Sequence, residues 1–210
     1  MRLRKLQAQF QGRISVQWHP FALRSEKNAA SFEFKGSYVE RGWKSAASMT
    51  RSDGISFQMW DQRPLPRWSL PGLYAGTAAQ RQGPQLFERF HIDMFAAYFG
   101  RSEDITTKDV AVEVARRSGL DVDRFSEDVG DEELQAEVFK RVIEAMSVYQ
   151  VSAVPTVIVD GGISMQGAVP EKDYLGALAK AGLSLDGAAL NAGSASVISS
   201  GWVGLDKVGE

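Results

Sequence analysis

The chain has 210 residues, with 24 basic and 26 acidic side chains, two histidines and no cysteine. A formal net charge of −2 gives no electrostatic attraction for nucleic acid or an anionic membrane, and the missing cysteine excludes disulfides, thiolate metal sites and a cysteine nucleophile within these residues. No apolar run approaches the ~18 residues of a spanning helix. Residues 1–7 are basic but lack the apolar stretch of a signal peptide, so the expected location is cytoplasmic.

Leu3, Leu6 and Phe10 fall on one helical face and Gly12 follows as a stop. Ile14, Val16 and Trp18 then alternate with polar residues, the pattern of a strand with one face buried. From residue 24 to 70 the turn signal Asp53-Gly54 and prolines 64 and 66 interrupt regular structure, with a short helix expected from about Tyr38 to Met49 and with Trp43, Trp60 and Trp68 as packing residues. Residues 71–149 read as helical almost throughout. Phe87, Phe90, Met94, Phe95 and Phe99 make one broad apolar face closed by Gly100, and Thr106 with Asp109 suggests a capping box for the next helix. Leu134, Val138, Val142, Met146 and Tyr149 mark a third long helix. The period changes at Val151: Thr156-Val157-Ile158-Val159 is a β-branched strand, Asp160-Gly161-Gly162 a hairpin turn, and Ile163-Ser164-Met165-Gln166 the returning strand. Pro170 opens a last helix with Tyr174, Leu175 and Leu178 inward. The remainder, rich in Gly, Ala and Ser, reads as a flexible tail.

The segment Val151-Ser152-Ala153-Val154-Pro155-Thr156-Val157-Ile158-Val159-Asp160-Gly161 resembles the loop and strand of the DsbA-like branch of the thioredoxin superfamily, in which the X-Pro bond is cis and faces the active site. Val16-Gln17-Trp18-His19-Pro20-Phe21 is similar to the strand exit of its FrnE-like subgroup. Residues 87–99 and 118–125 are similar to the helices of its inserted domain. The resemblance covers roughly residues 1–182. It implies an α/β fold: a thioredoxin-like sheet interrupted by an all-helical insertion and lacking the N-terminal strand. The expected division is 1–70 and 151–183 for the two parts of the thioredoxin-like domain, 71–150 for the helical insertion and 184–210 for the tail.

The family carries Cys-x-x-Cys, or a Ser-containing variant, where its first strand meets its first helix. In this sequence both would lie upstream of Met1, so an N-terminal truncation or a late start is expected. On that reading two inner sheet edges go unpaired, and the 210-residue chain alone is expected to be unstable. The resemblance implies a thiol–disulfide oxidoreductase without its cysteine motif, and hence redox-inactive as written. One alternative is a glutathione-dependent isomerase or transferase of the kappa-like branch. Another is a non-catalytic binding module. The expected partner is a thiol or disulfide substrate, peptide or small molecule, held at Val154 and Pro155. Gln166 and Gly167 are weaker candidates for a glutathione or thiol contact. No catalytic residue, metal or bound cofactor is assigned, with glutathione entering only as a substrate. His91 shares a stripe with Phe87 and Phe95 and reads as core; His19 has no local acidic partner, and the acidic run from Glu127 to Glu133 lacks calcium-loop spacing.

Overall fold

The computed structural model describes residues 2–27, 32–51, 54–62, 64–159, 162–183 and, for the backbone, 195–200. The described residues divide into two compact units, one drawn from residues 2–21 and 144–200, the other from residues 22–143.

In the first unit α1 (Arg2–Gln9) runs into β1 (Ile14–His19). Leu6 and Phe10, each 1% exposed, pack with Ile14, Val157, Val159, Tyr174 and Leu178 in one core. Burying each such side chain contributes roughly 1.5–3 kcal/mol. The Arg4 guanidinium lies 5.0 Å from the Trp18 ring centre, so α1 folds back along β1 with its first turn beside the strand's last residues. The strands β2 (Thr156–Val159) and β3 (Ile163–Gln166) pair antiparallel as the sequence pattern predicts, and α8 (Glu171–Lys180) follows Pro170. All four residues of β2 are buried, as suits an inner strand covered on both faces, whereas β3 alternates between half-buried and exposed residues. Of the turn signal between them, Asp160 and Gly161 lie outside the described residues.

Residues 195–200 depart from the expected tail. They form β4 (Ala195–Ser200), the second strand of a sheet ordered β1-β4-β2-β3. β4 runs parallel to β1 and antiparallel to β2, with Val197 in register with Val16 and Val159. The inner edges of β1 and β2 both have β4 as a partner. The expected instability, which rested on those edges being open, loses its physical basis. In space β4, α1 and β1 form a strand–helix–strand unit whose first strand comes from the far end of the chain. The rest of 184–210 lies outside the described residues.

The second unit holds α2 (Tyr38–Thr50), α3 (Leu70–Gln80), α4 (Pro84–Phe95), α5 (Lys108–Ser118), α6 (Val122–Gly130) and most of α7 (Glu132–Ser147). Within it Trp43, 1% exposed, gathers Phe34, Trp60, Tyr98 and Phe99 around it with ring centres 4.8–6.5 Å away. This cluster ties α2 and the loops beside it to the end of α4. That helix continues to Gly100 as expected, but its last turn widens to a π-helix over Ala96–Gly100. Two of its carbonyls are then taken from outside the helix: Gln58 N–H donates to Phe99 (2.7 Å) and Glu103 N–H to Ala97 (2.9 Å). The cap of α5 is Thr107, not Thr106, whose hydroxyl instead donates to Asp104 Oδ1 at 2.6 Å. On α7, Leu134, Val138 and Val142 are buried as the spacing predicts, but Met146 is 55% exposed and Ala145 takes the inward place.

Candidate functional site

The site is built from the segment that leaves α7. Gln150 adopts a left-handed conformation (φ 53°), and Val151 N–H donates back to the Ala145 carbonyl at 2.9 Å, which ends the helix and buries the Val151 side chain. The chain then turns through Ser152, Ala153, Val154 and Pro155, and the Val154–Pro155 peptide bond is cis. Three hydrogen bonds hold the exit. Thr156 Oγ1 donates to the Ala153 carbonyl (2.7 Å), Gly167 N–H to the Pro155 carbonyl (2.7 Å), and Ser152 Oγ to Gln166 Oε1 (2.9 Å). Gln166 Nε2 in turn donates to the Gln150 carbonyl at 3.2 Å.

The four residues singled out from the sequence are therefore brought together. Val154 is half-buried and Pro155 exposed, and Gln166 and Gly167 face them from the end of β3. The carboxamide of Gln166 serves as a brace, with both its oxygen and its nitrogen engaged within the turn. Gly167 sits at φ 86°, where a side chain would strain the backbone although space is open around it. No hydrogen bond joins the backbone of Val154 to another described residue. An extended segment arriving beside it would find an N–H and a C=O to pair with.

The sequence reading missed what stands next to this turn. Thr156 is in register with Gln166 on one side and with Ser200 of β4 on the other, and Ser200 is in register with His19 of β1. One row of the sheet thus carries His19, Ser200, Thr156 and Gln166, directly after the proline. The signal was present in the β-branched pair Val197-Ile198, but without a neighbouring strand signal in sequence it reads as tail. Arg2 Nη1 donates to the Val169 carbonyl at 2.8 Å, and the Arg4 guanidinium lies over the Trp18 ring. Tyr174, in the core beneath, has its phenol pushed above the usual tyrosine range by burial.

Other candidates are absorbed by packing. His91 is 1% exposed and sits between the Phe87 and Phe95 rings, each 5.0 Å away. In the acidic run, Asp128 and Asp131 bind the Arg81 guanidinium at 2.9 and 3.1 Å. The Asp131 carboxyl is held below the usual carboxylate range, first by the Glu133 N–H and then by Arg81. A cavity in the helical unit, bordered by Trp43, Trp68, Phe95 and Tyr98, encloses only about 60 Å³, room for a few waters and far below the roughly 300 Å³ at which ligand pockets begin.

The model of the DSBA-like thioredoxin domain family matches residues 1–179. Among curated proteins the chain is similar to the ClpXP adapter protein SpxH of Halalkalibacterium halodurans, at 28% identity over 123 residues, which cover 56% of this chain and 40% of the relative. The chain therefore spans about two fifths of that relative's length. Among solved structures it is similar to one from Nitrosomonas europaea provisionally described as a protein disulfide isomerase, with a TM-score of 0.71, 14% identity, and coverage of 85% of this chain and 87% of that one. That likeness concerns the fold.

Proposed function

The chain belongs to the DSBA-like thioredoxin domain family, and from that premise we propose that it holds an extended thiol- or disulfide-bearing substrate against Val154 and Pro155 without exchanging disulfides through its own residues. The observation that carries this reading is the turn braced by Gln166 beside a Val154 backbone with no bond to another described residue. An extended substrate can add its own N–H and C=O there, and Gln166 and Gly167 keep the turn from collapsing onto the vacant groups. Disulfide exchange proceeds through a thiolate, and residues 1–210 contain no cysteine to supply one. The oxidoreductase lineage and the FrnE-like strand exit at Trp18-His19-Pro20 thus survive here as a binding surface.

A glutathione-dependent isomerase or transferase is the second reading, and one observation favours it. The strand between β1 and β2 ends in Ser199-Ser200, with Ser200 in register with Thr156 beside the turn.

One titration separates the two. A labelled extended peptide carrying a blocked thiol, and glutathione, are each added to wild-type and Pro155→Ala chains while amide shifts of residues 152–157 are followed. The proposed reading expects saturable peptide binding, weakened about tenfold by Pro155→Ala (~1.4 kcal/mol), and no reduction of insulin disulfides by the wild type. Insulin reduction, or peptide binding indifferent to Pro155, would overturn it. Glutathione binding that Ser200→Ala abolishes would favour the second reading.

A further inference from the structure

Among the described residues, the charged side chains that border the cavity of the helical unit are two arginines, Arg24 and Arg67, with no acid beside them in its wall. Elsewhere in that unit arginines meet carboxylates, Arg81 at Asp128 (2.9 Å) and Arg101 at Asp93 and Glu103 (2.8 Å each). Arg24 and Arg67 instead converge on a neutral oxygen, each donating from Nη2 to the Tyr38 hydroxyl at 3.2 Å. Their two nitrogens then lie closer together than the ~8 Å screening length of physiological salt, so the repulsion between them persists. A phenol does not offset it. The surrounding chain holds the pair in place. Ser69 Oγ accepts from the Arg24 N–H (3.2 Å), the Ser69 N–H donates to the Arg24 carbonyl (3.0 Å), and the Arg67 guanidinium stands 4.2 Å from the Phe32 ring centre. Two further donors belong to the same wall. Ser69 and Gly72 bring the start of α3 to the cavity, and no side chain caps that helix, so its positive end lies there. The Trp68 indole N–H, also in the wall, is buried without an acceptor.

We propose that this corner of the helical unit is a binding site for a phosphate group, free or at the end of a phosphomonoester, with Arg24 and Arg67 as its principal ligands. A volume of about 60 Å³ excludes an organic molecule, but one tetrahedral oxyanion takes only the room of a few waters. The charge selects a phosphate over a carboxylate. Two guanidiniums and a helix N-terminus supply more than one positive charge, which a phosphate near neutral pH matches and a single carboxylate does not. The number of donors selects the same way, because two arginine forks, an indole N–H and the first turn of α3 can serve several oxygens at once. The Tyr38 hydroxyl, an acceptor for both arginines, has a proton of its own to donate to the anion. The site belongs to the helical unit and is independent of the peptide reading at Val154 and Pro155.

The test titrates the full-length chain with inorganic phosphate at constant ionic strength, followed by phosphorus-31 line broadening and calorimetry, with acetate as the comparison anion. Saturable phosphate binding is expected, with acetate weaker by about tenfold or more. Arg24→Gln and Arg67→Gln should each weaken phosphate by about tenfold, while Pro155→Ala, remote from this site in function, should bind it as wild type does. Should a glutamine variant lose its near-ultraviolet dichroism, the lysine variant is read in its place. Lysine keeps the charge but not the planar fork, so it too should weaken binding. Phenyl phosphate in a parallel titration identifies the source, tighter binding than inorganic phosphate assigning a phosphomonoester and weaker binding the free anion. Phosphate that fails to saturate, that binds no better than acetate, or that ignores both arginine substitutions would overturn the site.

Discussion

At Gln166 one carboxamide accepts a hydrogen bond from Ser152 and donates another to the Gln150 carbonyl, closing the turn around Pro155 from the β3 side. Both bonds are exposed, so their net contribution is about 1 kcal/mol. Gln166→Ala is expected to lower the urea-unfolding free energy by that amount and to weaken peptide binding at Val154. Gln166→Glu should be worse at neutral pH, because a carboxylate oxygen would then face the Gln150 carbonyl. Chemical denaturation at pH 7, paired with the peptide titration, reads both, and an alanine variant that binds peptide as wild type does would remove the brace from the account. This residue also shows where sequence reading stops. Its position after the last strand marked it for a ligand, and in the structure both polar atoms of its carboxamide are bonded within the turn. Yet an amide carries donor and acceptor alike, and nothing in the local sequence says that Ser152 and Gln150, fourteen and sixteen residues earlier, would take them.

Elements were legible wherever their signals were local. The helix expected from Tyr38 to Met49 is found at Tyr38–Thr50, with Ser37 Oγ accepting from the Glu40 N–H, and the Val151 period change locates β2 and β3. The cap moved to Thr107 for a local reason, the Thr106 hydroxyl being held by Asp104 two residues earlier. What escaped were features set by partners distant in sequence, the π-helical turn with its Phe99 carbonyl accepting from Gln58, and β4. The same applies to a closed ring of charges that no short window contains. Arg101 binds Asp93 and Glu103, each at 2.8 Å, and Arg117 binds the same two carboxylates at 2.9 and 3.1 Å, fastening α4, α5 and the loop between them. Burial alone would raise the Glu103 pKa, but hydrogen bonds from Arg101 and Arg117 outweigh it and hold the group below the usual carboxylate range. A carboxyl depressed in the folded state stabilises above its unfolded value of ~4.3, and that contribution is lost as pH falls through the lower folded value. Glu103→Gln is therefore expected to cost about 1 kcal/mol at pH 7, the partial exposure of the ring keeping the figure modest. Unfolding curves at pH 7 and near pH 3 should show the gap closing in acid; a gap that persists there would mean that Glu103 acts through packing rather than charge.

For the whole molecule, the decisive contacts are those that join the two ends of the chain. β1 and β4 are separated by about 180 residues yet pair over their full length, so the sheet is complete only when residues 14–19, 156–166 and 195–200 are all present. Hydrophobic periodicity could not announce this, because parallel pairing at such separation leaves no pattern in any window and the flanking Gly, Ala and Ser argue for tail. The helical unit needs none of it, having its own core around Trp43, with Phe34, Trp60 and Phe99. Ending the chain after Leu183 should then affect the two units unequally. The sheet unit loses the partner of six residues of β1 and four of β2, and at about 0.5–1.5 kcal/mol per hydrogen bond the loss is on the order of 5 kcal/mol, comparable with a domain's entire stability. Amides of β1 and β2 should lose their protection from hydrogen exchange. The near-ultraviolet dichroism of the Trp43 cluster should survive with a cooperative melt of its own, because Trp43, Trp60 and Trp68 all belong to the helical unit whereas Trp18 lies in β1. Protection of β1 unchanged by the truncation would show that β4 is not what holds the sheet closed. Loss of the Trp43 signal together with β1 protection would show that the two units fold as one.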